Sequence, residues 1–334
     1  MTKADTLYIS TQTAFALALL ALLGLGLLPM LLSGLLVYYI VVGGARHLER
    51  LGARALFSKV AVVTVFTVFV LLAFVVGIAK ITAHFSAGPE GIVALMQKMA
   101  DVVASGRTHL PPEFQEWLPG NMAEMQTAAS GWLRKNALVI GVFGRDALVM
   151  FAHIVIGMII GAMVALNPAF PPARGILAKA MAERMSFLGR AFRRVVFSQI
   201  RISALNTLLT GIFLIVVLPA FGMALPFTKT MIAITFIVGL LPIIGNLISN
   251  TVIFLVGLSV SPVAAVGTLV YLIFIHKLEY FVNARIIGGQ IRARAWEILL
   301  AMLVMESIFG IAGLIAAPIY YAYIKDELDS RDLI

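Results

Sequence analysis

The stretch TMIAITFIVGLLPIIGNLISNTVIFLVGLSVSPVAAVGTLVYLIFIH, residues 230–276, contains no lysine, arginine, aspartate or glutamate. A helix that crosses a bilayer needs roughly 20 apolar residues, so this stretch is long enough for two crossings. Further uncharged runs lie on both sides of it, at 6–45, 60–79, 147–173, 202–228 and 307–324. Together these runs predict an all-α, polytopic integral membrane protein with about eight apolar membrane segments.

The composition narrows the class of protein further. Hydrophobic residues make up 61% of the 334 residues and charged residues 12%, about half the charged share of a typical soluble protein. The chain has no cysteine, which excludes disulfides and cysteine-ligated metals, and no pair of histidines has metal-ligand spacing. It also lacks the Walker A, nucleophile-elbow, H-E-x-x-H and dinucleotide-binding motifs. We therefore expect no metal, no cofactor and no enzymatic activity.

The distribution of charge predicts the organisation of the chain. Residues 168–201 hold seven basic residues against Glu183 and belong on the cytoplasmic side, whereas residues 82–136 hold four basic and five acidic residues and fit the outside. The N-terminus is then cytoplasmic, and the basic segment is predicted to be an amphipathic helix on anionic lipid rather than a nucleic-acid site. The predicted regions are a three-span bundle at 1–81, an extracytoplasmic insert at 82–136, a fourth span at 137–167, the basic helix at 168–201, a C-terminal transport region at 202–325 and a polar tail at 326–334.

Two long apolar stretches near the end of the chain are interrupted in the middle. Residues 230–258 contain Pro242 and Gly245, and residues 296–324 contain Gly310, Gly313 and Pro318. Proline removes an N–H donor and glycine weakens a helix, so neither stretch is expected to form a continuous rod. Each stretch is interpreted as a broken or re-entrant helical hairpin, because irregular backbone in a membrane must be buried in protein or line a cavity. Two kinked crossing helices remain the alternative.

Three motifs in the last third of the chain carry a family resemblance. They are GLLPIIGN at 239–246, LEYFVN followed by IGG at 278–289, and FGIAGLIAAP at 309–318. In their order and spacing they resemble the autoinducer-2 exporter family, a group of bacterial inner-membrane transporters. The sequence departs from the usual family pattern at Ala284, at Ala295-Trp296, at Glu306 and at Asn167. The resemblance implies a homo-oligomer, with a pentamer as the expected form, and a small polar solute or a cation such as H⁺ or Na⁺ as cargo.

Glu306 is the first candidate for ion or proton transport. It lies ten residues into its apolar stretch and four residues before Gly310. A charged carboxylate at the centre of a membrane helix is expensive, so a carboxylate that is kept there often has a function. Glu306 can alternate between a protonated and an ion-bound form. The competing interpretation is a structural glutamate that is protonated, paired with a neighbouring helix or held at the interface.

Polar residues in two other apolar segments are also candidates for the pathway. His276, Glu279 and Asn283 follow the spacing i, i+3, i+7 and therefore share one helical face, although a helix-end carboxylate paired with a nearby base explains Glu279 equally well. Asn246 and Asn250 follow the Pro242 break, where an amide can replace water around a polar solute. The alternative for these amides is that they satisfy backbone groups that the break leaves unbonded.

Two classes of function remain open from the sequence. The first is a secondary transporter of the autoinducer-2 exporter type, moving a small polar solute or cation across the inner membrane with proton coupling. The second is a non-transporting membrane scaffold or assembly factor that uses the 82–136 insert and the basic helix as docking surfaces. No filter-like motif supports a passive channel.

Overall fold

The computed structural model describes residues 3–86, 137–167, 175–240, 244–287 and 294–331, together with five single positions between 101 and 135. These residues form helices and no strand, which confirms the all-α class. In chain order the helices are α1 Lys3–Gly24, α2 Leu28–Arg50, α3 Ala55–Ser86, α4 Ala137–Leu166, α5 Ile176–Ile212, α6 Thr228–Gly239, α7 Ile244–Val260, α8 Pro262–Ile287 and α9 Ala295–Asp329.

Five of these helical stretches are long and apolar enough to cross a membrane. By length and composition they are Leu28–Arg50, Ala55–Val76, Arg145–Leu166, Ile176–Ala220 and Trp296–Asp329, the last of which is folded back at Gly310. Large apolar side chains cover the outer surface of α3 and α4; Phe69 and Leu148, for example, are each more than two-thirds exposed. Exposed apolar surface on this scale is expected for helices that face hydrocarbon. The protein is therefore a multi-pass membrane protein, while the expected eight segments stay a prediction.

Residues that break helices mark the turns between them. Gly26 has a positive φ of 68° and Pro29 lies in the first turn of α2, so the long apolar run 6–45 is divided into two helices where glycine and proline interrupt it. Helix α5 continues into a π-helical turn, Phe213–Val217, and then an α-helical turn that contains Pro219. Because proline cannot donate the next backbone hydrogen bond, a local change of helical register just before it is expected.

The described parts of the chain divide into two compact units. The first comprises Met1–Phe74, Phe143–Phe197 and Ile291–Ile334, and the second comprises Val75–Val142 and Ser198–Gln290. Helix α5 runs without interruption through the boundary at Phe197. The predicted basic helix, 168–201, and the start of the predicted C-terminal region at residue 202 are thus parts of one helix.

The first unit is built around α1, the first half of α5 and the last part of α9. Its core combines aromatic and aliphatic residues from all three, and the hydroxyl of Tyr320 donates a hydrogen bond to the carbonyl of Leu19 at 3.1 Å. The buried members of this core include Phe15, Leu19, Leu23, Leu188, Phe192, Ile319 and Tyr323.

Helices α2 and α4 pack through small residues in the same unit. A Cβ added at Gly157 would collide with the carbonyl of Met30, and one added at Gly161 would collide with the carbonyl of Gly34. The hydroxyl of Ser33 also donates to the Ile154 carbonyl at 3.0 Å. Backbones approach this closely only where neither helix carries a large side chain. The G-x-x-x-G pattern at 157–161, a sequence signal for close packing of membrane helices, therefore marks the place of this contact.

Helix α9 is folded back on itself at Gly310. This residue has φ 61° and ψ −145°, a conformation that essentially only glycine adopts. Glu297 contacts Tyr321 and Lys325, although a continuous helix would place Glu297 and Tyr321 about 36 Å apart. The two arms, 295–309 and 311–329, therefore lie side by side. We call them the N-terminal and C-terminal arms of the α9 hairpin.

The other two residues that the sequence suggested as breaks in this stretch are helical. Gly310 is the non-helical residue within α9, while Gly313 and Pro318 continue the C-terminal arm. Gly313 has a steric role instead, because a Cβ there would collide with the carbonyl of Met305 across the turn. Pro318 costs the arm one backbone hydrogen bond and leaves its course helical.

The second unit contains a comparable turn between α6 and α7. Met231 of α6 and Ile253 of α7 belong to one buried cluster, although a continuous helix would separate them by about 33 Å. A Cβ at Gly245 would collide with the carbonyl of Val238, so the start of α7 lies directly against the end of α6. Pro242 itself lies outside the described residues. Helix α8 follows α7 after Ser261, whose hydroxyl accepts a hydrogen bond from the backbone N–H of Ala264.

Candidate transport site

Glu306 lies near the tip of the α9 hairpin. It is four residues before Gly310, about 6 Å along the helix, and its neighbours Val304 and Ile308 are apolar and exposed. The Glu306 side chain is exposed, and within the described chain no hydrogen bond or ion pair holds it. The structure thus places a carboxylate on the outer side of an apolar arm, beside the break that the sequence predicted.

The base of the hairpin carries a polar cluster that joins its arms. The Glu297 carboxylate accepts hydrogen bonds from the Tyr321 hydroxyl and from Lys325 Nζ, the latter at 3.2 Å. The same carboxylate oxygen accepts the backbone N–H of Arg294 at 3.1 Å, which caps the first turn of α9. We call Glu297, Tyr321 and Lys325 the base latch.

Two further ion pairs attach the C-terminal arm to α5. Arg184 and Glu327 approach to 3.2 Å with side chains that are 0% and 2% exposed, and Arg194 pairs with Asp326. Removing one partner of a buried pair costs about 3–5 kcal/mol, because a charge is then left without its counter-ion in a poorly solvated site. Arg184 therefore acts inside the protein, and the expectation that the arginines of 168–201 lie on lipid headgroups is wrong for this residue. Arg194 pairs with Asp326 but stays partly exposed.

A stripe of polar side chains runs along α5 in the second unit. Its members are Gln199, Ser203, Asn206, Thr207 and Thr210. Four of them recur at spacing 4, 3 and 4 and so share one face, and Thr207 lies beside Asn206, four residues after Ser203. Gln199 donates to the carbonyl of Gly239 at 2.8 Å, and Ser203 donates to the carbonyl of Phe236 at 2.7 Å. Thr207 Oγ1 is buried without a hydrogen-bond partner among the described residues. We call this set the polar stripe.

The polar stripe meets Asn246 at the start of α7. Asn206, which is 6% exposed, donates from Nδ2 to Oδ1 of Asn246 at 3.0 Å. Asn250 follows one turn later and is half-buried, and Ser249 between them is buried. In the sequence, Asn246, Asn250 and Asn206 stand out as amides in apolar segments, whereas Gln199 and the hydroxyl residues of the stripe were missed. The signal was present, since polar residues at spacing 4, 3 and 4 in the mostly apolar last part of α5 mark one face.

The remaining predicted residues are placed only in part. His276, Glu279 and Asn283 lie on α8, so their backbones share one helical face as predicted, but their side chains are outside the described set. His153, a lone histidine of α4, is half-buried. Among the described residues, no group of three or more His, Cys, Asp or Glu side chains is arranged to hold a metal ion.

Comparison with known families gives a match over most of the chain. Residues 12–330 match the family model described as AI-2E family transporter. The chain belongs to this family. The match spans both hairpins, the polar stripe and the ion pairs of α5 with α9. Comparison with curated proteins and with solved structures finds no match.

Membership of the AI-2E family transporters agrees with the resemblance carried by the three C-terminal motifs. Two of those motifs, GLLPIIGN and FGIAGLIAAP, contain the places where the chain folds back, between α6 and α7 and at Gly310. In this AI-2E family transporter, each of these two motifs therefore contains the turn of a helical hairpin. The polar side chains discussed above lie close to those turns or along α5 beside them.

Proposed function

We propose that this chain is a secondary transporter that moves a small polar solute or cation across a bacterial inner membrane in exchange for protons. Family membership supports a transporter as the general class. The observation that carries the proton coupling is the position of Glu306, an exposed carboxylate on an apolar arm, four residues from the Gly310 turn. A carboxylate in such a place can release a proton when a cation or solute takes its position, and bind one again when the cargo leaves.

Both folded-back stretches are proposed to be re-entrant hairpins. The N-terminal arm of α9 has 15 residues and spans about 22 Å, less than the roughly 30 Å of hydrocarbon in a bilayer. With Arg294 and Lys325 at the cytoplasmic boundary, as the positive-inside rule favours, the tip at Gly310 ends within the membrane. Glu306 would then lie about 18 Å from Arg294 along the arm. Broken helices that end within a membrane commonly provide binding sites for solutes and ions.

The polar stripe is proposed to be the route of a polar solute through the second unit. The segments that pack there, 202–228 and 230–276, contain no charged residue, so amide and hydroxyl groups supply the polar contacts. Asn206, Thr207 and Asn246 offer both donors and acceptors to a passing solute. His276, Glu279 and Asn283 on α8 and Asn250 on α7 are proposed to extend this route.

The assembly and orientation belong to the same proposal. The N-terminus is cytoplasmic, the chain forms a homo-oligomer with a pentamer as the expected form, and a C-terminal broken-helix region moves during transport. A membrane potential of 100 mV supplies about 2.3 kcal/mol for each charge that crosses, which is enough to bias a two-state motion. The size of the complex in detergent or nanodiscs, measured by mass, tests the oligomeric part.

Reconstitution into liposomes tests the proposed activity. Purified protein is placed in vesicles with an internal pH indicator, and Na⁺, K⁺ and small polar metabolites are screened for dissipation of an imposed pH gradient. We expect Glu306→Gln to abolish proton-coupled flux while the protein still inserts and assembles. Glu183→Gln, which removes an exposed carboxylate from α5, is the matched control and should keep the flux. Unchanged pH-dependent flux in Glu306→Gln would reject the assignment.

A further inference from the structure

The two arms of the α9 hairpin are attached to the first unit in different ways. The C-terminal arm is buried and is bound to other helices by the Tyr320 hydrogen bond to Leu19 and by the buried pair of Glu327 with Arg184. The N-terminal arm leaves most of its length exposed, as Leu303 at 66% and Ile308 at 65% illustrate. The C-terminal arm is thus a fixed part of the unit, and the N-terminal arm lies at its surface.

The inner face of the N-terminal arm packs against the fixed arm without polar contacts. Met302 is 3% exposed and lies in a small cluster with Leu314 and Ala317 of the C-terminal arm. Apolar contacts of this kind are not directional, so they can be broken and remade without leaving a polar group unsatisfied. The described polar side-chain contacts between the two arms lie at the base of the hairpin, in the base latch.

The base latch is accessible to solvent. Glu297 and Lys325 have side chains that are 20% and 23% exposed, in contrast to the buried Arg184–Glu327 pair. A solvated ion pair exchanges its partners for water at little cost, whereas a buried pair does not. The polar contacts between the two arms can therefore open and close. The same holds for the Arg194–Asp326 pair, which is 30% and 21% exposed but joins the C-terminal arm to α5 and not to the N-terminal arm.

The tip has the properties of a hinge. Gly310 holds a backbone conformation available almost only to glycine, and an added Cβ there would meet nothing within 4 Å. The volume that a side chain would occupy at Gly310 is therefore empty, and glycine is the residue whose φ and ψ angles can change most freely.

We propose that the N-terminal arm is a gate that swings about Gly310 and is held closed at its base by Glu297. Opening separates Met302 from the C-terminal arm and moves Glu306, which the arm carries, relative to the rest of the unit. The role of this motion in transport rests on the proposed function, whereas the motion itself does not.

Thiol labelling tests the motion directly, because the chain contains no cysteine of its own. Met302→Cys places a thiol between the arms, where a maleimide reacts only when they separate. We expect labelling to be slow in this background and to become several times faster when Glu297→Ala or Tyr321→Phe is added. Tyr320→Phe, the matched change in the fixed arm, should leave the rate unchanged. Equal labelling rates with and without the two latch changes would overturn the gate.

Cross-linking tests the role of the gate in transport. Glu297→Cys with Tyr321→Cys, joined by a short reducible thiol cross-linker, should stop flux in liposomes, and reduction should restore it. Arg194→Cys with Asp326→Cys, which joins the fixed arm to α5, should transport equally before and after cross-linking. Flux that continues through the locked base latch would overturn the gate. Labelling that responds to the latch changes, with no flux in any variant, would retain the gate and reject the proposed transport function.

Discussion

At the scale of single residues, burial separates side chains that look alike in the sequence. Arg184 and Arg190 belong to the same basic stretch, yet Arg184 is buried against Glu327 while Arg190 is exposed and lies over the ring of Phe187. Charged groups are buried in proteins when a partner of opposite sign is buried with them. The pairing of a residue of α5 with one near the end of the chain could not be inferred from spacing along either helix.

The buried ion pair leads to a stability prediction. Glu327→Ala should destabilise the protein by about 3–5 kcal/mol, because Arg184 keeps its charge without a counter-ion. Combining it with Arg184→Met should recover most of the loss, since an apolar pair of similar size needs no counter-ion. Unfolding of the purified protein in detergent measures both variants. Equal destabilisation of the single and the double variant would contradict the explanation.

The Asn206–Asn246 contact leads to a prediction on both stability and transport. Interhelical hydrogen bonds in membrane proteins contribute about 0.6–2 kcal/mol, so the coupling energy in a double-mutant cycle with Asn206→Leu and Asn246→Leu should fall in that range. If the amides also contact the solute, each single variant should lower solute flux by more than its loss of folded protein explains. Flux that falls only in proportion to folded protein would assign these amides to packing alone.

At the scale of elements, glycine decides where helices fold back and where they touch. Gly310 provides a conformation, Gly313 provides room for the Met305 carbonyl, and Gly157 and Gly161 let α4 approach α2. The G-x-x-x-G spacing sets Gly157 and Gly161 apart in the sequence, but nothing there distinguishes Gly310 from Gly313, because both lie in the same apolar stretch. The roles differ because the positive φ at Gly310 requires a residue without Cβ for conformational reasons, whereas the turn and the helix crossing require one because another backbone occupies the space of a Cβ.

The hinge conformation yields a prediction with a built-in control. Gly310→Ala should destabilise the hairpin by about 1–3 kcal/mol, because alanine avoids this region of φ and ψ even though there is space for its Cβ. Gly43→Ala, at a helical position of α2 that is equally open, should be neutral or stabilising by up to about 1 kcal/mol. Unfolding midpoints measured side by side compare the two. A similar shift in both variants would mean that the turn at Gly310 places no special demand on its residue.

At the scale of the whole molecule, the division into units cuts across the order of the chain. Residues 291–334 group with the N-terminal helices, and α5 contributes its two halves to different units. Ion pairs and aromatic contacts from the last helix to α1 and α5 account for this grouping in the first unit. The regions predicted from composition are each continuous in the sequence, whereas each compact unit combines segments that are far apart in the sequence.

The insert that is predicted at residues 82–136 permits a test of transporter against scaffold. Deleting residues 85–130 removes the predicted insert and leaves the polar stripe and the α9 hairpin intact. We expect the shortened protein to retain part of its solute flux in liposomes, because the proposed site does not use the insert. Assembly is checked by the mass of the complex. Loss of bound protein partners, together with no flux in either the full-length or the shortened protein, would favour the scaffold instead.

The sequence by itself determined the helical membrane class, the family, the turn at Gly26, the contact at Gly157 and Gly161, and the places where the last two apolar stretches are interrupted. These follow from composition, local backbone preference and motifs, which act over a few residues. The tertiary structure decided that the interrupted stretches fold back, that Asn206 lies against Asn246, and that Arg184 and Glu327 neutralise each other inside the first unit. Those outcomes depend on which surfaces meet when distant helices pack, because burial and pairing are properties of two partners and a pattern within one segment describes only one of them.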